Sequence, residues 1–234
     1  MPLSAALRGS AFALFMVALL VAFTRTAAAT PTITGDIELI ALPGDLSLDQ
    51  LESEDKIRLM LESTAVMLAA SLQVDRVSVG TVDDAGDIEA ASLPAGTFIA
   101  ETWLLHFDRP GNPSDPVVRA GSLVFDSPIL GVIFTGAFYG SNSLGASDGV
   151  LGQATTLYAG ESLRGIEFPQ TFGVLDTFTI SADRKTLDLS LTNRTVLDEL
   201  RVLVGVETAP VPEPAAAVLV LAAGSLLTLR RRRA

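Results

Sequence analysis

The chain has 234 residues, and its 16 lysines and arginines against 27 aspartates and glutamates give a formal net charge of −11 at pH 7. Such an acidic surface repels a phosphate backbone, so the charge excludes nucleic acid as a partner. The sequence contains no cysteine and only one histidine, which excludes disulfides, thiol nucleophiles and histidine-rich zinc sites.

The first 29 residues predict an export signal. Arg8 precedes an apolar stretch over residues 11–23, and small residues follow at Ala27, Ala28 and Ala29. Signal peptidase recognises small residues in this arrangement, so we expect Ala27 and Ala29 to form its site and cleavage to follow Ala29. The body of the protein is then residues 30–209, a length that fits one domain with its own core.

The start of this body predicts strands, with one ambiguous segment. Residues 33–40 predict a short edge strand that ends before Pro43 and Gly44. In residues 47–72, Ser47 and Gln50 fit the capping box of a helix. The same segment also holds two short apolar runs separated by residues 63–64, which favours two strands. We predict strands here and keep the helix as the alternative.

The remainder of the body predicts many short strands separated by turns. Their predicted positions are residues 74–79, 96–107, 121–125, 131–139, 155–158, 163–168, 172–181, 187–192 and 199–207. Glycine- and acid-rich loops are predicted at 80–89, 109–113 and 140–152. Strands at intervals of roughly ten residues, with no helix between them, predict an all-β fold: an antiparallel β-sandwich or jelly roll.

The last 24 residues predict a short membrane anchor. Val211, Pro212, Glu213 and Pro214 are followed by an uncharged apolar run over residues 215–229, and then by Arg230, Arg231, Arg232 and Arg233. Fifteen helical residues cover about 22 Å of a hydrocarbon core about 30 Å thick. The arginines should stay on the cytoplasmic side, and the two prolines should keep the preceding segment extended and accessible.

This ending resembles the PEP-CTERM sorting signal of exported bacterial proteins. The resemblance implies that exosortase, a membrane-embedded cysteine transpeptidase, recognises the Pro212-Glu213-Pro214 segment and removes the tail. The implied organisation is a signal peptide (1–29), an extracellular domain (30–209) and a sorting signal (210–234). Signal peptidase, exosortase, transiently the inner membrane and extracellular polysaccharide are the implied partners. An ordinary C-terminal anchor that is never cut is the alternative.

A second resemblance covers roughly residues 49–206. The blocks LESEDKIRLMLES (51–63), GTFIAETWLLHFDRPG (96–111) and TISADRKTLDLSL (179–191) are similar to an extracellular domain that recurs ahead of PEP-CTERM tails. The similarity lies in the order of the blocks and brings no catalytic residues with it. It favours strands over a helix for residues 51–63.

Two residues resemble catalytic groups in type but not in context. His106 lies in the predicted strand 96–107, where a packed or hydrogen-bonded role is expected. Ser147 occupies the centre of a G-x-S-x-G pattern, but that pattern requires a strand before it, a helix after it and a histidine further along the chain. We therefore predict that neither residue is catalytic.

Two further groups are candidate ligand contacts. Asp83, Asp84, Asp87 and Glu89 form the densest oxygen cluster of the sequence and could hold calcium, although a solvated acidic turn is the competing interpretation. Tyr139 and Tyr158 lie beside polar loops, where amphipathic rings could stack on a sugar. The remaining aromatic residues are predicted to form the core.

The sequence thus predicts a non-enzymatic exported protein of the cell surface or extracellular matrix, without an obligatory cofactor. The alternative is a secreted carbohydrate-active enzyme with paired carboxylates, or a lectin-like glycan-binding module.

Overall fold

The computed structural model describes residues 30–111, 115–160, 164–168, 176–193 and 197–205. The predicted signal-peptidase residues Ala27 and Ala29, the Pro-Glu-Pro motif from Val211 to Pro214 and the arginines from Arg230 to Arg233 lie outside this part of the chain. Across the ranges just given, no helix is long and apolar enough to cross a membrane.

The described residues are mostly β. The strands are β1 (Thr32–Gly35), β2 (Ile37–Ile40), β3 (Asp45–Leu46), β4 (Ile57–Met67), β5 (Leu72–Val74), β6 (Gly80–Val82), β7 (Ala91–Leu93), β8 (Phe98–Phe107), β9 (Val117–Val124), β10 (Ile129–Ile133), β11 (Leu157–Tyr158), β12 (Thr177–Ile180), β13 (Thr186–Asn193) and β14 (Asp198–Gly205). Short 3₁₀ helices occupy Ala85–Asp87 and Ala137–Tyr139, and one α-helix, α1, occupies Ser143–Leu151.

Two five-stranded sheets make up the body of the fold. The first has the strand order β1-β9-β13-β12-β6 and is antiparallel throughout, and the second has the order β10-β14-β8-β4-β2. Within the second sheet β2 runs parallel to β4, and β3 also pairs with β11 in parallel. The predicted all-β class is confirmed, but a purely antiparallel arrangement is wrong. Residues 41–56 supply the long crossover that a parallel pair requires.

The two sheets share one hydrophobic core. Alternate residues of β8, Trp103 and Leu105, point into it from the second sheet, and Leu187 and Leu189 of β13 point into it from the first. All four side chains are buried. Burial of these apolar faces against each other is the main stabilising contribution to the fold.

The opposite face of the second sheet is covered as well. Leu203 of β14 packs against Leu144 and Leu151 of α1, while Met60 and Leu104 pack against Leu46. Strand β14 is consequently buried over its whole length. Polar residues on this face cannot reach water freely and must find partners inside the protein.

The ambiguous segment 47–72 contains one long strand. Strand β4 continues through Ser63 and Thr64, where the sequence predicted a break, and its register against β8 shifts between Leu61 and Ser63. Ala65 has a positive φ of 57° just beyond this shift. A β-bulge therefore absorbs the irregularity. The prediction of strand structure is confirmed at β4, whereas the helical alternative and the break at residues 63–64 are wrong.

The predicted loop at 140–152 is also wrong, because α1 occupies most of it. Helix α1 itself contains two glycines, Gly145 and Gly149, and its sequence favours a helix poorly by propensity. Packing of Leu144 and Leu151 against the second sheet stabilises the helix instead.

The remaining strand predictions vary in accuracy. Strands β8, β9 and β13 confirm the predictions at 96–107, 121–125 and 187–192, with boundaries shifted by up to four residues. Strand β14 confirms the prediction at 199–207 as far as residue 205, where the described range ends. The predicted strand at 74–79 is wrong over most of its length, since β5 ends at Val74, and β6 occupies part of the predicted loop at 80–89. Residues 164–168 form no strand.

Gly121 of β9 should tolerate no side chain. A Cβ at this position would lie 2.5 Å from the Thr34 carbonyl oxygen and 2.7 Å from the Ile37 side chain. We expect Gly121→Ala to lower the free energy of unfolding by about 1–3 kcal/mol, because the backbone of β1 must move. Urea titration measures the free energy of unfolding of Gly121→Ala and of a control variant, Gly149→Ala. Gly149 lies in α1 with open space around it, so alanine should raise stability by about 0.5–1 kcal/mol there. Equal effects of the two substitutions would contradict the prediction.

Candidate functional site

A buried ion network lies on the face of the second sheet against which α1 packs. Arg201 of β14 is fully buried, and its guanidinium faces the carboxylate of Glu62 on β4 through two contacts, Nε to Oε2 at 2.5 Å and Nη2 to Oε1 at 2.7 Å. The same Nη2 lies 2.9 Å from Oδ1 of Asp148 on α1. The bidentate geometry suits the fixed fork of an arginine side chain.

Asp148 links this pair to a second group of charges. Its Oδ2 lies 2.5 Å from Nη1 of Arg164, and the Nε of Arg164 donates to Glu199 of β14. Nδ1 of His106 is 2.8 Å from the other oxygen of Glu199. The term ion network is used below for Glu62, His106, Asp148, Arg164, Glu199 and Arg201.

Neighbouring charges offset the effect of burial on the pKa values of Glu199 and Arg201. Burial raises the pKa of Glu199, but Arg164 and His106 outweigh it, and the net effect is a lowered pKa. Burial likewise lowers the pKa of Arg201, and Glu62 and Asp148 outweigh it, so that the pKa is raised. The partners of Glu199 and Arg201 therefore favour the charged form of each against the effect of burial.

Strand alternation explains how the network arises. Residues 199, 201 and 203 of β14 share one face, and cross-strand pairing sets Glu199 opposite His106 and Arg201 opposite Leu104. Of His106, Glu199 and Arg201, only His106 is singled out from the sequence as a candidate. Charges two residues apart within the apolar segment 197–204 were the signal that could have revealed Glu199 and Arg201.

The expectations for His106 and Ser147 can now be compared with the structure. His106 is a buried, hydrogen-bonded strand residue, as predicted. Ser147 lies inside α1, where its hydroxyl donates to the Leu144 carbonyl at 2.8 Å and accepts from Arg201. A nucleophilic serine would need to give its proton to a base, whereas this hydroxyl proton is directed to a backbone carbonyl.

Tyr158 and Tyr139 are partly buried with their hydroxyl groups engaged. The Tyr158 hydroxyl lies 2.8 Å from Glu62 Oε1, and the ring lies under the guanidinium of Arg164 at 5.3 Å. Burial, followed by the charge of Glu62, raises the pKa of Tyr158. The Tyr139 hydroxyl accepts the amide of Phe168 at 3.0 Å. Contact of either ring with a ligand stays a prediction.

The acidic turn uses its carboxylates to stabilise its own backbone. Asp84 accepts the amide of Gly86 at 2.6 Å, and Asp87 accepts that of Asp83 at 3.2 Å. Glu89 accepts two backbone amides and lies 3.2 Å from Nη1 of Arg76. These contacts support the interpretation as an acidic turn, and calcium at Asp83, Asp84, Asp87 and Glu89 stays an untested prediction.

Three other carboxylates come together away from the ion network. Each of Glu167, Asp176 and Asp198 offers an oxygen, and these three oxygens all lie within 4.8 Å of one another. Asp176 accepts the backbone amides of Glu167 at 2.7 Å and Thr192 at 2.6 Å. Neither carboxylate oxygen of Asp198 has a hydrogen-bond partner of normal geometry in the described part of the chain. These three residues are called the acidic trio below.

Burial and mutual repulsion weaken the acidity of the trio. Burial, with the charge of Asp176 added, raises the pKa of Glu167 to about 7. Burial raises the pKa of Asp176 to about 7 despite its two backbone hydrogen bonds. The pKa of Asp198 is raised well above its usual range by burial and then by Asp176 and Glu167, although the Asn193 side chain acts in the opposite direction. Three negative charges here need compensation.

The acidic trio cannot be identified from the sequence. Its members belong to three separate segments, and no spacing or motif connects them before the chain folds. No family model, curated protein or solved structure matches the chain. Proposals about function therefore rest on the residues themselves.

Proposed function

We propose that the chain is an exported bacterial protein that exosortase releases from the inner membrane, and that acts without catalysis at the cell surface or in the extracellular matrix, associated with polysaccharide. The observation that carries this proposal is the order of the Pro212-Glu213-Pro214 motif, the apolar run and the four arginines. The signal-like start at residues 1–29 supports export of the intervening domain.

The fold supports a role as a stable extracellular module. The two five-stranded sheets and their common core are features of a β-sandwich, which is the class we propose for residues 30–209. The hydrophobic core provides the stability of a chain that has no cysteine. Exported proteins reach compartments where disulfides can form. This domain contains no cysteine and is stable without them.

The geometry of the candidate groups supports a non-enzymatic role. Ser147 is held by Arg201 and by a backbone carbonyl, and the nitrogen Nδ1 of His106 is held by Glu199. Glycosidases separate their two carboxyl groups by about 5–9.5 Å in an accessible groove. The acidic trio is more closely spaced than this and is buried, so it does not suit the alternative of sugar cleavage.

Cell fractionation tests the sorting proposal. Immunoblots should show a shortened, released form in the parent strain and an unprocessed, membrane-associated form in a strain without exosortase. Replacing Pro212 and Pro214 by alanine should reproduce the unprocessed form in the parent strain. Pro210→Ala, two residues before the motif, is the matched control and should be processed normally. Identical size and location in the two strains would contradict the proposal.

A further inference from the structure

We propose that the acidic trio is a calcium site that ties the two sheets together. The site is formed by Glu167, Asp176 and Asp198, and its existence does not depend on the proposed sorting function. It is separate from the acidic turn around Asp84, where Asp84 and Asp87 accept backbone amides of the turn and Glu89 accepts those of Val77 and Ser78.

The spacing of the oxygens fits one hard cation. Calcium binds oxygens at about 2.3–2.6 Å, so two ligands on opposite sides of one ion lie about 4.8 Å apart. One oxygen from each member of the trio falls within that limit of the other two. All the side-chain donors are carboxylates, which favours calcium over metals that select nitrogen or sulfur.

Asp198 provides the second, independent observation. Its carboxylate is fully buried, yet neither oxygen has a hydrogen-bond partner of normal geometry among the described residues, and the Asn193 side chain is the one neighbouring group that favours its charged form. No arginine or lysine in the same ranges forms an ion pair with Glu167, Asp176 or Asp198. A buried carboxylate without donors requires a bound proton or a cation.

Other buried carboxylates of this protein show that the fold normally supplies donors. Asp75 is 1 % exposed and accepts hydrogen bonds from the Phe134 and Thr135 amides and from the Thr135 and Ser143 hydroxyls. Glu62 and Glu199 are likewise paired with arginines in the ion network. Within the acidic trio Asp176 also accepts two backbone amides, but Asp198 departs from this pattern, as a cation ligand would.

The position of the trio explains what the ion would do. Asp176 immediately precedes β12 of the first sheet, and Asp198 begins β14 of the second. Glu167, on the segment 164–168, is 7 % exposed, whereas Asp176 and Asp198 are fully buried. A calcium ion would therefore join the two sheets and this segment at one end of the domain, and its binding should stabilise the folded state.

Calorimetry and thermal unfolding of the full-length chain test the site. The protein would be purified in mild detergent, freed of metal with a chelator and titrated with calcium chloride. We expect one ion per chain and a Tm rise of at least about 4 °C at saturation. Magnesium chloride and zinc chloride should bind at least tenfold more weakly. Tighter binding of either metal than of calcium would overturn the assignment.

Variants distinguish calcium binding by the acidic trio from a general attraction of calcium to the negative charge of the protein. Asp198→Asn keeps the shape of the side chain and should weaken calcium binding at least tenfold and abolish the Tm rise. Asp188→Asn is the matched control, because Asp188 is an exposed acid on β13, and it should bind calcium like the parent. Glu167→Gln, at the edge of the site, should also weaken binding, and near-UV circular dichroism would verify that each variant is folded.

Two results would overturn the proposal. One is the absence of calcium binding by the folded parent protein. The other is an Asp198→Asn variant that is more stable than the parent by the same amount with and without calcium, which would mean that the trio holds protons. Both results can be obtained without exosortase, so they leave the sorting proposal unaffected.

Discussion

Replacing Arg201 by alanine is expected to lower the free energy of unfolding by about 3–5 kcal/mol. Arg201 is fully buried and neutralises Glu62 through two contacts and Asp148 through a third. Its removal would leave the carboxylate of Glu62, which is also buried, without its main partner. The loss would come mostly from that uncompensated charge and not from the pair's net contribution, since a buried ion pair roughly balances its own desolvation cost.

Urea unfolding of five variants measures this effect: the two arginine-to-alanine variants, the two single leucine variants and the double leucine variant. Arg58→Ala is the matched control: Arg58 also lies on the second sheet, but its partner Glu38 is half exposed, so a change below about 1 kcal/mol is expected. Replacing Arg201 and Glu62 together by leucine should cost less than the sum of the single leucine substitutions, with a coupling of about 0.5–3 kcal/mol. Strict additivity, or a loss at Arg201 no larger than at Arg58, would show that the network is not a coupled unit.

Phe134→Ala should destabilise the protein to a similar extent, by about 3–5 kcal/mol. Phe134 is fully buried in the core shared by the two sheets, and its ring packs edge-on against Phe178 at 5.1 Å and Phe168 at 6.3 Å. Alanine would remove these contacts and leave a cavity that the surrounding β-structure can fill only in part.

Phe138→Ala is the control for that substitution. Phe138 is four residues further along the chain and 59 % exposed, so its truncation should change stability by about 0.5 kcal/mol or less. Chemical denaturation would give the change in the free energy of unfolding for each variant, provided that the variants and the parent have the same m-value. Equal losses at the two positions would contradict the placement of the core between the sheets.

The fold class could be predicted because strand alternation and turn residues are local signals. Strands β8 and β13 were found close to their true bounds, since both are long and bounded by recognisable turns. The parallel pairing of β2 with β4 was not predicted, because nothing in residues 37–40 shows which strand will lie next to β2. Helix α1 was missed for a related reason, since packing and not propensity stabilises it.

The candidate sites were predicted less well than the fold. His106 was correctly interpreted because its strand was recognised. The acidic trio depends on segments separated along the chain, and only the folded arrangement brings Glu167 and Asp198 together. A dense acidic run such as residues 83–89 attracts attention in a sequence, yet in the structure its carboxylates accept hydrogen bonds from neighbouring backbone amides.

The ion network and the acidic trio illustrate two ways of placing charge inside one domain. In the network, Arg164 and Arg201 compensate their carboxylate partners without external help. In the trio, compensation has to come from outside the described side chains, which is why we assign the trio, and not the network, to a ligand. Loss of a single member of the network would leave its partner buried and uncompensated, which is why the network matters for the folded domain.

The intact mass of the protein isolated from the extracellular fraction tests the central sorting claim most directly. The proposal predicts a chain that begins at Thr30 and lacks the apolar run and the arginines from Arg230 to Arg233, and the same protein should keep its tail in a strain without exosortase. A released protein that retains residues 215–234 in both strains would contradict the proposal.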